Sequence, residues 1–178
     1  PINELRFAMH DRIDGVDVGP KHVPLSLLGE FQKDVSEFLK GSDRDVDPAK
    51  VLVAVEDGSL ALVATGLLAA SSLWSDLAHL KSPDSLNLID AKRAGVIERW
   101  QAAARQNPQR SYRVADVSAQ LGFSVNAASD YRRVEEVWVQ VEKYLHGTVV
   151  DWGGKTNPNV HLEVEGGSVL KVASSQTM

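Results

Sequence analysis

The sequence contains no cysteine, and this absence removes several kinds of chemistry at once. A chain without thiols forms no disulfide bond, offers no thiolate nucleophile and binds no zinc through cysteine ligands. Such a composition fits a reducing compartment. Because the first residues, Pro1 to Arg6, also lack the basic start and apolar centre of a secretory signal, we predict a cytoplasmic location.

Long hydrophobic runs are missing as well. The longest apolar stretch, Leu60 to Leu68, is interrupted by Thr65 and Gly66. A helix that crosses a bilayer needs about 20 predominantly apolar residues. We therefore expect no membrane helix in this sequence.

An excess of positive charge is the third absence, because 19 basic side chains stand against 24 acidic ones for a net charge of -5. Nucleic-acid binding draws much of its affinity from clustered Lys and Arg. The charge balance therefore argues against a dominant phosphate-binding surface. The length of 178 residues suits one ordinary domain or two small ones.

The sequence also lacks recognisable arrangements of catalytic or metal-binding residues. No two of the five histidines have the short spacing that presents a pair to a metal, and no Gly-x-Ser-x-Gly segment occurs. We therefore predict no cofactor, no metal site and no catalytic residue from local motifs. An enzyme whose site is assembled from distant residues stays open as an alternative.

Hydrophobic periodicity predicts a first hairpin and a helix at the start of the chain. Leu5, Phe7 and Met9 alternate with more polar residues, and Asp14-Gly15 is a turn signal, so a strand and hairpin are expected. From Pro24 the apolar spacing becomes helical, and Gly41 is placed to end that helix.

A second hairpin is predicted with Asp57-Gly58 as its turn. Residues 51–56 and 59–64 flank this pair, whose members tolerate the positive φ of a type I′ turn. Both runs are almost continuously apolar, which favours strands in the middle of a sheet with a helix-covered face. Two further helices follow, over residues 67–81 and from a cap at Asp90 to Gln106.

Beyond Pro108 the sequence becomes rich in strand-like runs. The runs are Ser111 to Val117, Val137 to Val141, Gly147 to Trp152, Val160 to Val164 and Val169 to Ala173. Glycine and proline turns separate the last three, as in an antiparallel meander. We therefore predict an α+β domain over residues 1–108 and a β-rich part, a meander or partial barrel, over residues 109–178.

Two motifs resemble ligand-binding loops but lack necessary residues. Asp43, Asp45 and Asp47 have the spacing of a calcium loop, yet Pro48 stands where glycine is needed and Ala54 where a glutamate is needed. We interpret them as a solvated acidic loop.

Residues 153–156, Gly-Gly-Lys-Thr, look like the end of a phosphate-binding loop. The first glycine of that pattern is replaced by Val149, and Asn157-Pro158-Asn159 follows where a helix should begin. A hairpin turn is the better interpretation.

Residues 114–124 resemble the first helix and turn of a helix-turn-helix. Residues 125–133 would then be the recognition helix and would carry Arg132 and Arg133 toward DNA. Two observations argue against a helix-turn-helix. Ala128 is small where a buried branched residue is usual, and the net charge of the chain is negative. The favoured interpretation is a strand, a loop and a second strand with Phe123 and Val125 inward.

Two tryptophans in the β-rich part are candidate binding residues. Trp138 and Trp152 could anchor a partner protein, or stack on a base beside Lys155 or Arg132 if they are exposed. Packing between the two parts of the chain is the alternative that we favour, because an indole buries a large area.

The segment from Val139 to Val164, with Val55 to Ser59, resembles uncharacterised bacterial proteins. Its most distinctive run is Glu142-Lys143-Tyr144-Leu145, followed by Gly147, Val149-Val150 and Gly153-Gly154-Lys155. The resemblance covers about a third of the chain and implies no activity. It implies that the strand at Gly147 opens a small barrel and that Met178 is not the natural end.

The sequence therefore favours a non-enzymatic protein-binding or assembly module. Exposed edge strands of the meander make self-association a further hypothesis, because an edge presents unpaired amides and carbonyls. A nucleic-acid-binding or regulatory protein is the first alternative, and an enzyme with a dispersed site is the second.

Overall fold

The chain consists of two compact units in the computed structural model. The described residues are 3–42, 44, 46–56, 60–134, 144–154, 156 and 158–173, with 55 and 56 described by their backbone alone. The first unit is Pro1–Glu136 and the second is Val137–Met178.

The first unit contains a five-stranded sheet and three helices, so the predicted α+β fold is confirmed. Its strands are β1 (Leu5–His10), β2 (Arg12–Ile13), β3 (Val16–Asp17), β4 (Leu52–Glu56), β5 (Leu60–Thr65), β6 (Ser111–Asp116) and β7 (Gly122–Val125). Its helices are α1 (Leu25–Lys40), α2 (Ser71–His79) and α3 (Ala91–Gln106), with a 3-10 turn at Pro48–Lys50. The antiparallel sheet has the order β4-β5-β1-β6-β7.

Strand β1 lies at the centre of this sheet because every second side chain in it is large and apolar. Leu5, Phe7 and Met9 are fully buried on the helix-covered face. There they join a cluster of rings in which Trp100 stacks on Tyr112 with 4.7 Å between centroids. Phe38 stacks on the same indole at 6.3 Å. The core of the first unit is therefore aromatic where α1, α3 and β6 meet.

The first predicted hairpin has the right turn but much shorter arms. Asp14 and Gly15 adopt positive φ angles of 51° and 80°, and they join β2 to β3. Strand β1 does not pair with β3; it pairs with β5 on one side and β6 on the other. Its apolar side chains are buried at the sheet centre, which a two-stranded hairpin could not provide.

The second hairpin pairs as predicted, but one of its strands lies at the edge of the sheet. Strands β4 and β5 form an antiparallel ladder from Leu52 opposite Thr65 to Glu56 opposite Ala61. The predicted turn at residues 57–58 lies outside the described residues. Strand β5 is interior, whereas Leu52 in β4 is 76% exposed. Continuous apolar sequence therefore wrongly indicated two central strands.

The predicted boundary near residue 108 is wrong. Strand β6 pairs with β1, and β7 pairs with β6, so both belong to the first sheet. Their inward residues Tyr112, Val114, Phe123 and Val125 are buried in the aromatic core. The units divide between Glu136 and Val137 instead.

The helix-turn-helix interpretation is wrong for the same segment. Residues 114–124 run from one strand through a turn into the next, and the inward positions of Phe123 and Val125 confirm the alternative. Ala119 has a positive φ of 55° in the turn, and Asp116 accepts a hydrogen bond from the Leu121 amide. The residues after Val125 form neither helix nor strand up to Val134.

A buried arginine joins all three helices. Arg93 of α3 is 1% exposed, and its Nη1 lies 2.7 Å from Oδ2 of Asp76 in α2. It also donates to the Ser72 hydroxyl at 3.1 Å and to the carbonyl of Phe38 at 2.9 Å. A Cβ at Gly41, whose φ is 58°, would lie 2.8 Å from this guanidinium. Glycine at the predicted end of α1 therefore makes room for the arginine.

The predicted cap at Asp90 begins α3. Its carboxylate accepts hydrogen bonds from the amides of Lys92, Arg93 and Ser42. Burial raises the pKa of Asp90, but these hydrogen bonds outweigh it and hold the pKa below its usual value. Helix α3 therefore matches its predicted span, whereas α2 is shorter than the predicted helix over residues 67–81.

The second unit is an antiparallel meander, as predicted. Its strands are β8 (Gly147–Gly153), β9 (Asn159–Val164) and β10 (Val169–Ala173), with β9 in the middle. The strand predicted over residues 137–141 lies outside the described residues. None of the helices described in either unit is long and apolar enough to cross a membrane.

We predict that Asp76→Ala lowers the free energy of unfolding by about 3–5 kcal/mol, because it leaves the Arg93 guanidinium buried without its counter-ion. Glu98→Ala is the control, since it breaks an arginine–carboxylate pair that is about half exposed and should cost less than about 1 kcal/mol. Urea denaturation measures both. Equal losses in the two variants would contradict the role given to Arg93.

Candidate functional site

Arg132 and Arg133, which the helix-turn-helix alternative would turn toward DNA, are held in ion pairs. Arg132 lies 2.5 Å from Asp84 and 3.2 Å from Asp130, and Arg133 lies 2.8 Å from Glu98. The hydrogen bond to Asp84 is the main cause that raises the pKa of Arg132. Both guanidinium groups fix the chain after β7 to the surface around α3, and the predicted recognition helix is absent there.

The side chain of Gln101 also binds the segment after β7, through the backbone of Tyr131. Gln101 of α3 is buried and accepts a hydrogen bond from the Tyr131 amide at 2.6 Å, while its own amide donates to the Tyr131 carbonyl at 2.9 Å. The Tyr131 hydroxyl donates to the carbonyl of Leu80. The nucleic-acid alternative therefore loses its structural basis in residues 114–133.

Of the three candidate binding residues in the second unit, one is described. Trp138 and Lys155 lie outside the described residues. Trp152 is in β8 with 82% of its surface exposed. The favoured interpretation, in which Trp152 packs between the two parts of the chain, stays a prediction.

Trp152 belongs to an apolar face of the second sheet, which we call the tryptophan face. The ladder places Val149 opposite Leu162 and Leu162 opposite Leu170, while Trp152 and Val172 both lie opposite Val160. Directly paired residues share one side of a sheet. The tryptophan face consists of seven apolar side chains: Val149, Trp152, Val160, Leu162, Val164, Leu170 and Val172.

The opposite face of this sheet is mainly polar. Asp151, His161 and Lys171 lie in one row across the three strands. The His161 Nδ1 atom is 3.4 Å from a carboxylate oxygen of Asp151, which confirms that the two side chains lie on the same side. The sheet is therefore amphipathic.

A bulge in β8 produces this division. The register moves from Val149 opposite Leu162 directly to Asp151 opposite His161, so Val150 is one extra residue. Without it, the two-residue alternation would put Trp152 on the side opposite Val149. With it, both side chains lie on the tryptophan face. The extra residue also explains why apolar and polar residues do not alternate regularly in the sequence of β8.

The second unit buries none of its described residues. Every position in residues 144–154, 156 and 158–173 is partly or largely exposed. The apolar face of a sheet stabilises a fold when it is buried against another layer. The tryptophan face is therefore an apolar surface without a covering layer among the described residues of this unit.

The five-stranded sheet has a second face, which we call the arginine face. It lies opposite the helices and carries residues that alternate with the buried ones. Its central residues are Arg6, Ala8 and His10 of β1, Ala61, Val63 and Thr65 of β5, and Ser111, Arg113 and Ala115 of β6. A cavity of about 460 Å³ lies on it, between His10 and the turn at Ala119.

A cleft between α1, α3 and β6 has an aromatic floor and charged walls, but its polar groups are bonded to one another. Asp34 accepts hydrogen bonds from Arg99 at 2.8 Å and from the Trp100 indole at 3.0 Å. Arg110 pairs with the buried Asp11 at 2.8 Å. The cavity is about 190 Å³, smaller than most ligand pockets. This cleft is a bonded network and does not present a set of unpaired reacting groups.

The comparisons with known proteins add no family. No family model matches the chain, and neither the curated proteins nor the solved structures contain a match. The resemblance of the β-rich part to uncharacterised bacterial proteins stays a prediction. In the part of the chain that the structure describes, no three or more acidic or histidine side chains are grouped to hold a metal ion.

Tyr112, which lines the cleft, gives the first unit a dependence on alkaline pH. Burial is the largest influence and raises the pKa of the phenol, although the neighbouring Arg110 lowers it. Because the folded pKa lies above the unfolded value near 10, this contribution to stability is complete below pH 10. It is lost as the pH rises toward and through the folded pKa.

We predict that Tyr112→Phe flattens the decline in stability between about pH 9 and about pH 11. Burial also raises the pKa of Tyr131, so the double variant with Tyr131→Phe should be flatter still. Urea denaturation across this range measures the slope. An unchanged slope in Tyr112→Phe would show that the phenol titrates alike in the folded and unfolded chains.

Proposed function

We propose that this chain is a non-enzymatic assembly module that associates with a second copy of itself through the tryptophan face. One observation carries the proposal: seven apolar side chains share one side of a sheet whose unit buries none of its described residues. Transferring apolar surface out of water is the main driving force of protein association. The largest exposed side chain there is Trp152, and tryptophan is the residue type most enriched at the centres of interfaces.

Charge favours a protein partner over nucleic acid at this surface. Residues 137–178 contain three basic and four acidic side chains, so the second unit is nearly neutral. Nucleic-acid binding needs clustered positive charge, and its absence here leaves the apolar face as the dominant feature. Two such nearly neutral units also approach each other without strong repulsion.

The dimensions of the face suit a weak or moderate dimer. Three strands spaced about 4.8 Å apart and about six residues long present a face of about 15 by 20 Å. Two such faces packed together, with Trp152 between them, would bury on the order of 1,000 Å² in total, near the lower limit for a specific interface. We therefore expect a dissociation constant in the range of about 10 µM.

Face-to-face packing is favoured over pairing along β8. The bulge at Val150 interrupts the regular ladder of that edge strand, and such irregularities hinder the addition of another strand. Two amphipathic sheets that stack by their apolar sides form a sandwich with a core about 10 Å thick. A two-fold axis would place the same surface of both copies in the interface.

The experiment is sedimentation velocity on the full chain from about 1 to about 200 µM, a range that spans the expected dissociation constant. The wild type should change from monomer to dimer. Trp152→Gln should weaken the association at least about tenfold, because a central tryptophan commonly contributes 2 kcal/mol or more. The control is Thr148→Gln, which lies in the same strand on the polar face.

Two outcomes would overturn the proposal. A wild type that stays monomeric at the highest concentration excludes self-association. A dimer that Trp152→Gln and Thr148→Gln weaken equally, or not at all, excludes the tryptophan face as the interface. Amide spectra of residues 159–164 check that both variants keep the meander, so a loss of association is not a loss of fold.

A further inference from the structure

Three lysines line a groove between the second half of α1 and the start of α3, which we call the lysine groove. Its lining residues are Lys33, Ser36, Glu37, Lys40, Gly41 and Lys92. Lys33 and Lys92 are exposed, and Lys40 is partly buried. The cavity volume is about 440 Å³, which lies within the usual range for small-molecule sites.

The lysines of this groove are not used by the rest of the fold. Lys33, Lys40 and Lys92 make no hydrogen bond or ion pair through their side chains within the described part of the chain. By contrast, Arg93 and Arg99 of α3 are each bonded to a carboxylate. A cleft lined by charges of one sign raises the local concentration of ions of the opposite sign. The lysine groove therefore favours an anion.

Glu37, the acidic residue that lines the groove, is partly neutralised. Its carboxylate lies 3.0 Å from Nη2 of Arg99, and the same nitrogen lies 2.8 Å from Asp34. One guanidinium thus serves two carboxylates, and the three groups together keep one negative charge. The three lysines outweigh it, so the groove stays positive in a chain whose net charge is -5.

Hydrogen bonds between the two helices hold the walls of the groove in place. Arg93, the neighbour of Lys92, donates to the carbonyl of Phe38 at 2.9 Å. The amide of Ser42 donates to the Asp90 carboxylate, also at 2.9 Å. The end of α1 and the first turn of α3 are therefore fixed against each other before any ligand binds. Such preorganisation lowers the cost of binding.

The spacing of the lysines suits a ligand with more than one anionic group. Lys33 and Lys40 are seven residues apart in α1, which places them on the same side of the helix and about 10 Å apart along its axis. Lys92 belongs to the opposite wall. The amides of Lys92 and Arg93 at the start of α3 are bonded to Asp90, so the side chains are the groups that remain for a ligand.

We propose that the lysine groove binds a small polyanion, a molecule that carries two or more phosphate or carboxylate groups, through Lys33, Lys40 and Lys92. Each ammonium group is a compact charge with three donors, and hydrogen bonds from such a group to an anionic oxygen are strong. Nucleic acid is a poorer fit, because a long phosphate backbone would also meet the acidic remainder of the chain. The groove lies in the first unit and the tryptophan face in the second, so neither proposal depends on the other.

The experiment is an amide NMR titration of the full chain at low salt with sodium pyrophosphate and, separately, with sodium citrate. Sodium chloride at matched ionic strength is the reference. Either polyanion should shift the amides of Ser36, Gly41 and Lys92 saturably, with a dissociation constant on the order of 1 mM for so small a probe. Tighter binding of pyrophosphate would identify a phosphate ligand, and tighter binding of citrate a carboxylate ligand.

Lysine variants test which side chains bind the anion. Lys33→Gln, Lys40→Gln and Lys92→Gln should each weaken binding about three- to fivefold, because an exposed charge pair contributes modestly in water. The variant with all three replacements should show no saturable shift. Lys81→Gln is the matched control, since it removes an exposed lysine that does not line the groove, and it should bind as the wild type does.

Glu37→Gln should change the affinity in the opposite direction. It removes the negative charge from the lining and leaves the lysines in place, so pyrophosphate should bind about twofold or more tightly than to the wild type. A structural role of the lysines alone would not produce this gain. The lysines that are replaced are mostly exposed, so melting temperatures should stay close to that of the wild type, which separates a loss of binding from a loss of fold.

The proposal is overturned if neither polyanion shifts these amides beyond the effect of chloride. It is also overturned if the triple variant binds as tightly as Lys81→Gln. Sodium phosphate tests the need for two anionic groups: it should bind more weakly than pyrophosphate, and equal affinity would contradict a polyanion as the ligand.

Discussion

The buried ion pair between Arg93 and Asp76 is the interaction on which the first unit most depends. It joins the end of α1, the body of α2 and the first turn of α3 at one guanidinium. An unpaired charge at this depth would be costly, so the three helices must be in place together for the group to be satisfied. The pair thereby fixes the layer of helices that covers one face of the sheet.

Local periodicity predicted most elements of this fold, whereas partners across the sheet were harder to infer. The cap at Asp90, the end of α1 at Gly41 and the turn at Asp14-Gly15 follow from backbone preferences that act within a few residues. The place of β6 depends on contacts with β1, about 100 residues away in the sequence. Nothing local distinguishes such a strand from one in a separate β-rich domain, which is why the boundary near residue 108 was wrong.

The candidate binding surfaces were also only partly predictable from the sequence. Trp152 was identified because tryptophan is rare and large, but its exposure could not be inferred from the sequence. The apolar alternation of Val160, Leu162 and Val164 was visible, whereas the bulge at Val150 hid the matching pattern in β8. Arg132 and Arg133 were noted as part of a helix-turn-helix pattern, and residues 114–133 do not form one.

The contrast between the two units gives the strongest reason to expect association. The first unit buries an aromatic core behind three helices, while the second buries none of its described residues. Conformational entropy opposes the ordering of any chain, and a meander without a core has little hydrophobic burial to offset it. A partner that covers the tryptophan face supplies that burial, and by mass action it stabilises the folded sheet as it binds. The three-stranded sheet is already formed in the single chain, so the proposed assembly would add to its stability without being required for its folding.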